Sequence, residues 1–366
     1  MSSALAAEFE GRIQALRRAL PAVAFFAGFL WDAVTLGRSV GTLDLWLLTA
    51  YLVGAGTLLW WLGRRQSLAP PATSGEEMSP PPAPPWWRES GPYVLLQFLF
   101  GGLFSALFIF YFKSSSHLPA TLWALGLGAL LVANEFLEDR YRRFTLTWAL
   151  FGLCSMLLLN FVVPHVVGSI SPVWFVLSTL AGAGLAHGLH SKTPGRPGRI
   201  RPVWGIAAAL LLAYSIDVIP PVPLVKKALA VGHDMRKQQD AYVLRQEASP
   251  WWMFWRRTRG DIRLKPGERL YCVSAVFAPR GLDTRLYHRW AYNDPQRGWV
   301  TTSRIGFHLA GGRQGGYRGY TWKQNLVPGE WKVTVETENE RTVATLRFEL
   351  SDEALPADAS MVEHPI

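Results

Sequence analysis

Long apolar runs constrain this chain more than any other feature. Hydrophobic residues make up 49% of its 366 residues and charged residues only 17%, below the roughly 25% charged residues of soluble domains. A helix needs about 20 apolar residues to cross a bilayer. Seven runs approach or reach that length, and we expect a bundle of about seven transmembrane helices: Leu20–Gly37, Leu43–Leu62, Pro92–Phe112, Leu118–Leu137, Phe144–Val163, Ser171–His190 and Val203–Ile219.

Basic residues between these runs predict their orientation. The N-terminal tail and alternate connections carry thirteen Lys and Arg, whereas the opposite connections carry two, Arg38 and Lys113. Loops rich in Lys and Arg stay in the cytoplasm. We therefore expect a cytoplasmic N-terminus and, after an odd number of spans, a C-terminal domain on the outer side of the membrane. No small-residue cleavage site follows the first run, which predicts an uncleaved anchor rather than a removed signal peptide.

Composition divides the chain into six segments. Residues 64–91 are Pro-rich and extended, typical of a cytoplasmic spacer or, alternatively, of a PxxP ligand. Residues 227–263 are polar with helical stretches and include "PWWMFWRR", whose tryptophans suit the bilayer surface or the underside of the next domain. The expected segments are a transmembrane hairpin 1–63, the linker 64–91, a five-helix region 92–226, a juxtamembrane helical and aromatic segment 227–263, a β-domain 264–351 and a disordered tail 352–366.

From Arg269 onward the apolar period changes to two. Trp331, Val333 and Val335 share one face of "EWKVTVETE", and polar residues occupy the other. This alternation, with turn residues between the runs, predicts a small antiparallel β-sandwich. The six expected strands are "RLYCVSAVFAP", "TRLYHRWAYND", "GWVTTSRIGFHL", "GYRGYTWKQ", "EWKVTVETE" and "RTVATLRFEL".

The glycine-rich run "GGRQGGYRGYTWKQ" raises the question of a phosphate-binding loop. Such a loop needs a preceding strand, a following helix and, in the Walker form, a Gly-Lys-Ser/Thr sequence; here a strand follows and that sequence does not occur. One interpretation is a bend whose Tyr317, Tyr320 and Trp322 fill the core. The other is a rigid loop from which Arg313 and Arg318 hold an anion or carboxylate.

Polar residues within the apolar runs are candidate functional groups, because they are costly in a membrane. Asp32 and Asp217 lie toward the outer side of the first and seventh runs, and Glu135 and His187 lie near cytoplasmic ends. They could line a proton route, or they could reach headgroups and cap helices. His288, beside Trp290, could line a ligand groove or form hydrogen bonds within its sheet.

Other chemistry has little support in the sequence. Cys154 and Cys272 lie in different environments and predict no disulfide framework, and no spacing typical of a metal site occurs. The pI of about 9.8 would suit nucleic acid, but half of the basic residues lie in loops that orient the chain. We expect neither a nucleic-acid partner nor a cofactor. The chain lacks HExxH, GxSxG and paired-aspartate motifs, so we do not expect an enzyme.

Several motifs resemble a known family. "LYCVSAVFAP", "LYHRWAYND", "GGRQGGYRGYTWK" and "GEWKVTVET" resemble the C-terminal module of bacterial membrane proteins with the domain of unknown function 2914. "FLWDAVTLGR", "YFKSSS", "NEFLEDRYRR" and "IPPVPL" resemble the membrane part found beside that module. The resemblance implies a bacterial inner-membrane protein and assigns no catalytic residue.

Two functions follow as expectations. In the first, the outer β-domain binds an envelope protein, a glycan or another envelope ligand by recognition rather than covalent chemistry, with Arg313, Tyr317, Arg318 and His288 as exposed contacts. In the alternative, the spans form a transporter or lipid-handling protein with a regulatory β-domain. Glycines within the spans, among them Gly102, Gly126, Gly182 and Gly184, would permit close helix approach in either case.

Overall fold

The computed structural model describes residues 42–68, 91–135, 141–238, 241–247, 260–313, 315–353 and 360–366. The first expected span with Asp32, most of the Pro-rich linker and the "PWWMFWRR" cluster lie outside these residues. Six described helices precede eleven described strands. The helices are α1 (Thr42–Leu68), α2 (Gly91–Ser114), α3 (Leu118–Glu135), α4 (Phe144–Val167), α5 (Pro172–Lys192) and α6 (Arg201–Ser215).

Four of the described helices, α1, α2, α4 and α5, are long and apolar enough to cross a membrane, and α3 is a shorter apolar helix. Large apolar side chains are exposed along them; on α5 these include Val173, Val176, Leu177 and Leu180. Exposed stripes of this kind are unusual in water and are consistent with helices that cross a membrane. The expectation of about seven spanning helices is therefore met only in part by the described residues.

The expected seventh span is shorter than predicted. Helix α6 ends at Ser215, and its 15 residues extend only about 22 Å at 1.5 Å per residue. Val218 N–H donates to Ala213 O at 2.9 Å and Asp217 N–H to Tyr214 O at 3.2 Å, and Asp217 has a φ of 57°. These bonds form a Schellman cap with Asp217 in the left-handed position. The cap, followed by two prolines, stops the helix.

The described strands are β1 (Val225–Gly232), β2 (Asp234–Gln238), β3 (Ala241–Glu247), β4 (Asp261–Arg263), β5 (Arg269–Phe277), β6 (Asp283–Asp294), β7 (Gly298–Ala310), β8 (Tyr317–Gln324), β9 (Gly329–Thr337), β10 (Thr342–Ser351) and β11 (Met361–Pro365). All six strands expected after Arg269 are confirmed. The helical interpretation of 227–263 is wrong for β1, β2 and β3. The expected disordered tail is wrong for β11, which pairs with β3.

These strands form three sheets, which we call the first, second and third sheets. Their orders are β1-β5-β8, β4-β10-β9-β6-β7 and β11-β3-β2. All pairings are antiparallel except the parallel pair β4 and β10. One buried cluster joins Val231 and Cys272 of the first sheet with Trp290, Trp331 and Val333 of the second. Another joins Val273 of the first sheet with Leu244 of the third.

The chain divides into two compact units. Among the described residues, the helical unit takes α1, residues 91–109, Leu125–Leu159 and Thr179–Ala209. The β unit takes Phe110–Ala124, Asn160–Ser178 and the described part of Leu210–Ile366, which includes the eleven described strands.

Candidate ligand-binding cavity

His288 is a core residue rather than an exposed contact. Its side chain is fully buried, with Nε2 2.8 Å from Ser274 Oγ and Nδ1 2.9 Å from Thr321 Oγ1. Trp290 Nε1 donates to the same Thr321 hydroxyl at 3.2 Å. Burial lowers the pKa of His288 to about 3, so the ring is neutral near pH 7. The expectation that His288 is an exposed contact is wrong, and the alternative of a hydrogen-bonded histidine agrees with the structure, because both ring nitrogens lie at hydrogen-bond distance from core hydroxyls.

The other three predicted contacts come from one stretch of chain but differ in environment. Arg313 is exposed, and Tyr317 and Arg318 are half-buried, with Tyr317 packed against a core cluster. Arg318 Nε is buried and has no hydrogen-bond partner among the described residues. Tyr320 and Trp322 do not fill the core as one interpretation expected, since they are 44% and 43% exposed.

The glycines of this stretch form a bend between β7 and β8. Gly312 and Gly316 have φ values of 104° and 85°, where a side chain would be strained. Gly311 N–H donates to Leu282 O at 2.7 Å, and a Cβ on Gly311 would overlap the backbone oxygen of Pro279. The glycines are therefore explained by the bend that the backbone makes between these strands.

The polar residues of the apolar runs lie near helix ends. His187 is exposed on α5, and its Nδ1 accepts a hydrogen bond from Trp204 Nε1 at 3.0 Å. Glu135 is the last residue of α3, and its side chain lies outside the described atoms. Asp217 Oδ1 lies 3.6 Å from Arg341 Nη1, and its backbone oxygen is 2.8 Å from His117 Nε2. The structure thus gives Asp217 a capping position and an ion pair.

A cavity of about 530 Å³ opens where the first and third sheets come together. This volume is within the roughly 300–1,000 Å³ of small-molecule sites. Its lining comes from β2, β3, β5, β11 and the turns beside them: His233, Asp234, Arg245, Glu268, Arg269, Tyr271 and Met361. We take this cavity as the candidate functional site.

The two arginines of the cavity lack carboxylate partners among the described residues. Arg269 instead lies with its guanidinium carbon 4.4 Å from the centre of the Trp322 ring. The acids are engaged: Asp234 lies 3.4 Å from Arg236, and a Glu268 oxygen accepts the Lys265 N–H at 3.2 Å. The cavity therefore presents two guanidinium groups beside the carboxylates of Asp234 and Glu268, and a guanidinium binds a carboxylate or phosphate through paired hydrogen bonds.

His233 lies at the inner wall of the cavity. Burial lowers its pKa, and Glu247 and Glu268 partly oppose that change. Its Nε2 is 3.6 Å from a buried Glu247 oxygen, and that oxygen also accepts the Arg263 N–H at 3.2 Å. Buried Gln246 donates to Val231 O at 2.8 Å. These bonds fix the wall before any ligand enters, which lowers the entropic cost of binding.

Sequence reasoning missed this site because it assigned β2 and β3 to a helical segment and β11 to a disordered tail. A signal was present, since Tyr242, Leu244 and Gln246 recur with the period of two that a strand requires. The pairing of β3 with β11 has no local signal, because these two strands are more than a hundred residues apart.

Comparison with known families gives one result. Residues 283–350 match the family model described as a protein of unknown function, DUF2914. The match spans β6 to β10, as the resemblance at the C-terminal strands implied. We call these residues the DUF2914 region. The lining of the cavity lies outside the DUF2914 region, whereas Trp322, beside the cavity, lies inside it.

No curated protein matches the chain. Among solved structures, a β-glucosidase from Listeria innocua shares 11% identity over 33% of this chain and 17% of its own length, with a TM-score of 0.20; the chain thus spans about a sixth of that enzyme. An immunoglobulin-like protein from Pseudomonas aeruginosa shares 11% over 34% of this chain and 97% of its own, with a TM-score of 0.20. The alkylpurine DNA glycosylase AlkC from Pseudomonas fluorescens shares 11% over 84% and 97%, with a TM-score of 0.21. TM-scores of this size do not establish a shared fold.

Proposed function

We propose that this protein is an integral protein of the bacterial inner membrane that recognises an anionic envelope ligand in the cavity of its β unit. The observation that carries the proposal is the pair of cavity arginines, Arg245 and Arg269, without carboxylate partners among the described residues. A guanidinium that faces a cavity and lacks an acid is poised to bind a carboxylate or phosphate. Recognition, rather than covalent chemistry, is the activity.

We further propose that the strands form a β-sandwich on the periplasmic side. The sandwich is supported by the buried cluster that joins the first and second sheets through Cys272 and Trp331. The periplasmic side is supported by the excess of Lys and Arg in alternate connections. A reporter enzyme fused after Ile366 should be active when it requires the periplasm. Activity only with a cytosolic reporter would place the β unit on the other side and remove access to periplasmic ligands.

Binding is tested with the full chain in detergent micelles and a small carboxylate-bearing probe, the disaccharide N-acetylglucosaminyl-N-acetylmuramic acid. We expect saturable binding by calorimetry and none with the neutral disaccharide chitobiose. Replacing both arginines (Arg245→Gln with Arg269→Gln) should weaken binding at least tenfold, since each arginine supplies charge-assisted hydrogen bonds.

Arg297→Gln provides a matched control, because Arg297 is an exposed arginine of the β unit that does not line the cavity. This variant should bind the probe as the wild type does. Equal binding of the carboxylate and neutral disaccharides, or loss of binding only in the control, would contradict the proposal. The proposal would also be contradicted if the variant without both arginines unfolds at the normal temperature and binds the probe with unchanged affinity.

A further inference from the structure

Strand β8 presents an aromatic face beside the cavity. This strand is the edge strand of the first sheet. Its Gly319 and Thr321 are buried, whereas Tyr320 and Trp322 point outward and are 44% and 43% exposed. Residues two apart on a strand lie on one face, about 7 Å apart. Exposed aromatic rings in a row are uncommon on soluble surfaces and mark binding sites.

This aromatic face is continuous with the cavity. Trp322 is the cross-strand partner of Tyr271, which lines the cavity, and Trp322 also lies under the guanidinium of Arg269. Farther along, the rings of Tyr320 and Tyr242 are 5.4 Å apart. We call the four rings of Tyr242, Tyr320, Tyr271 and Trp322 the aromatic strip. It leads from the cavity across β8 toward the third sheet.

The strip is held by the packing beneath it. Tyr242 and Tyr271 are partly buried and pack against the cluster of Ala230, Leu244 and Val273. Rings fixed in this way lose little conformational entropy when a ligand binds. A ring that is held in place presents its flat face in a constant orientation. This arrangement favours a ligand with flat, repeated surfaces.

The chemistry of the strip and the cavity together favours one ligand class. The face of an aromatic ring carries partial negative charge, and it attracts the weakly positive C–H groups on the face of a sugar ring. Successive sugars can therefore stack on successive rings. The carboxylates of an acidic glycan would bind Arg245 and Arg269. Stacking on the aromatic rings alone would not account for these two arginines.

We propose that the cavity and the aromatic strip form one extended site for a strand of acidic polysaccharide. This inference rests on the proposed function, because the same cavity holds the acidic group. It goes further by naming a glycan chain, rather than a small anion, as the ligand and by assigning Tyr320 and Trp322 to its binding.

The test compares two lengths of one glycan on the full chain in detergent. The probes are the disaccharide used above and the octasaccharide of the same repeat, with peptides removed. The octasaccharide should bind about tenfold more tightly, because additional sugars contact the strip. Tyr320→Ala should reduce octasaccharide affinity to that of the disaccharide and leave disaccharide affinity unchanged. Tyr320→Phe should retain octasaccharide affinity, since it retains the ring.

Controls separate the possible outcomes. Val327→Ala changes another exposed apolar residue, 50% exposed, and should have no effect. If the disaccharide binds but the octasaccharide binds no more tightly, the extended site is excluded while the proposed function stands. If an octapeptide of glutamate binds as tightly as the octasaccharide, the glycan assignment is overturned. If neither sugar binds, the proposed function fails and the extended site fails with it.

Discussion

Hydroxyl groups on the helices of the helical unit and the buried His288 of the β unit form their hydrogen bonds in different ways. In the helical unit, hydroxyl groups donate to the backbone one turn earlier: Ser155 Oγ to Phe151 O at 2.7 Å, Thr193 Oγ1 to Leu189 O at 2.8 Å and Thr49 Oγ1 to Leu45 O at 2.8 Å. In the β unit, His288 bonds to side chains on two other strands. The first arrangement needs only the helix itself, whereas the second exists only after strands have paired.

The same contrast holds for close packing. In the helical unit, absent side chains permit contact: a Cβ on Gly182 would lie 2.6 Å from the Met156 backbone, and one on Gly152 would lie 2.8 Å from Val203. In the β unit, large rings such as Trp290 and Trp331 fill the space between sheets. Small residues at helix contacts are typical of membrane proteins, where lipid offers no hydrophobic drive for association. Substitutions should therefore destabilise the helical unit by crowding its helices, and the β unit by removing the partners of its buried side chains.

The largest effect is expected at Glu336, which is fully buried and binds two arginines. Its oxygens lie 2.6 Å from Arg289 Nε and 2.7 Å from Arg304 Nε. Glu336→Gln should lower the unfolding free energy of the β unit by about 3 kcal/mol, because two arginines lose their charge partner. Exposed Glu338→Gln should change it by less than about 0.5 kcal/mol. Chemical denaturation measures both, and equal effects would show that the buried carboxylate is dispensable.

A smaller effect, about 2 kcal/mol, is expected from pH at His288. The folded pKa of about 3 lies below the ordinary value of 6.5, so the unfolded chain takes up a proton first as the pH falls. Stability should therefore decrease below about pH 6.5 and continue to decrease toward pH 3; between pH 7 and pH 5 the loss is about 2 kcal/mol. His288→Gln should remove this part of the pH dependence. A variant with the slope of the wild type would refute the buried neutral ring.

In the helical unit, two glycines of α5 provide a matched pair. Gly182→Ala should destabilise by about 1–2 kcal/mol, because its methyl group would overlap the Met156 backbone. The Cβ of Gly184→Ala meets no atom of the described residues within 4 Å, and the change should be neutral or stabilising, since alanine favours helix. Thermal unfolding in detergent distinguishes them. Equal melting temperatures would mean that α4 and α5 do not pack closely at this point.

The smallest effect is expected at Asp217. The ion pair with Arg341 is loose at 3.6 Å, and the Asp217 side chain is 32% exposed, so Asp217→Asn should cost only about 0.5–1 kcal/mol. Asparagine also tolerates the left-handed backbone of the cap. If the role of Asp217 is structural, the loss of stability should be this small and ligand binding in the cavity should be unchanged. Intact folding with lost function would instead assign Asp217 a role within the membrane.

The sequence alone determined the apolar helices and the six strands after Arg269. Lipid imposes long apolar runs and a half-buried sheet imposes a period of two, so both patterns are local. The end of α6 was harder to predict. The expected span Val203–Ile219 continues to Ile219, yet α6 ends at Ser215 because the chain adopts a left-handed turn at Asp217.

Only the tertiary structure decided the environment of single residues and the location of the cavity. His288 follows the same alternation as its neighbours, and nothing local reveals that Ser274 and Thr321 surround it. The cavity unites His233, Arg245, Tyr271 and Met361, which are separated by up to 128 positions in the chain. Strand pairing between distant segments brings them together, and pairing depends on the burial of whole faces rather than on any short pattern.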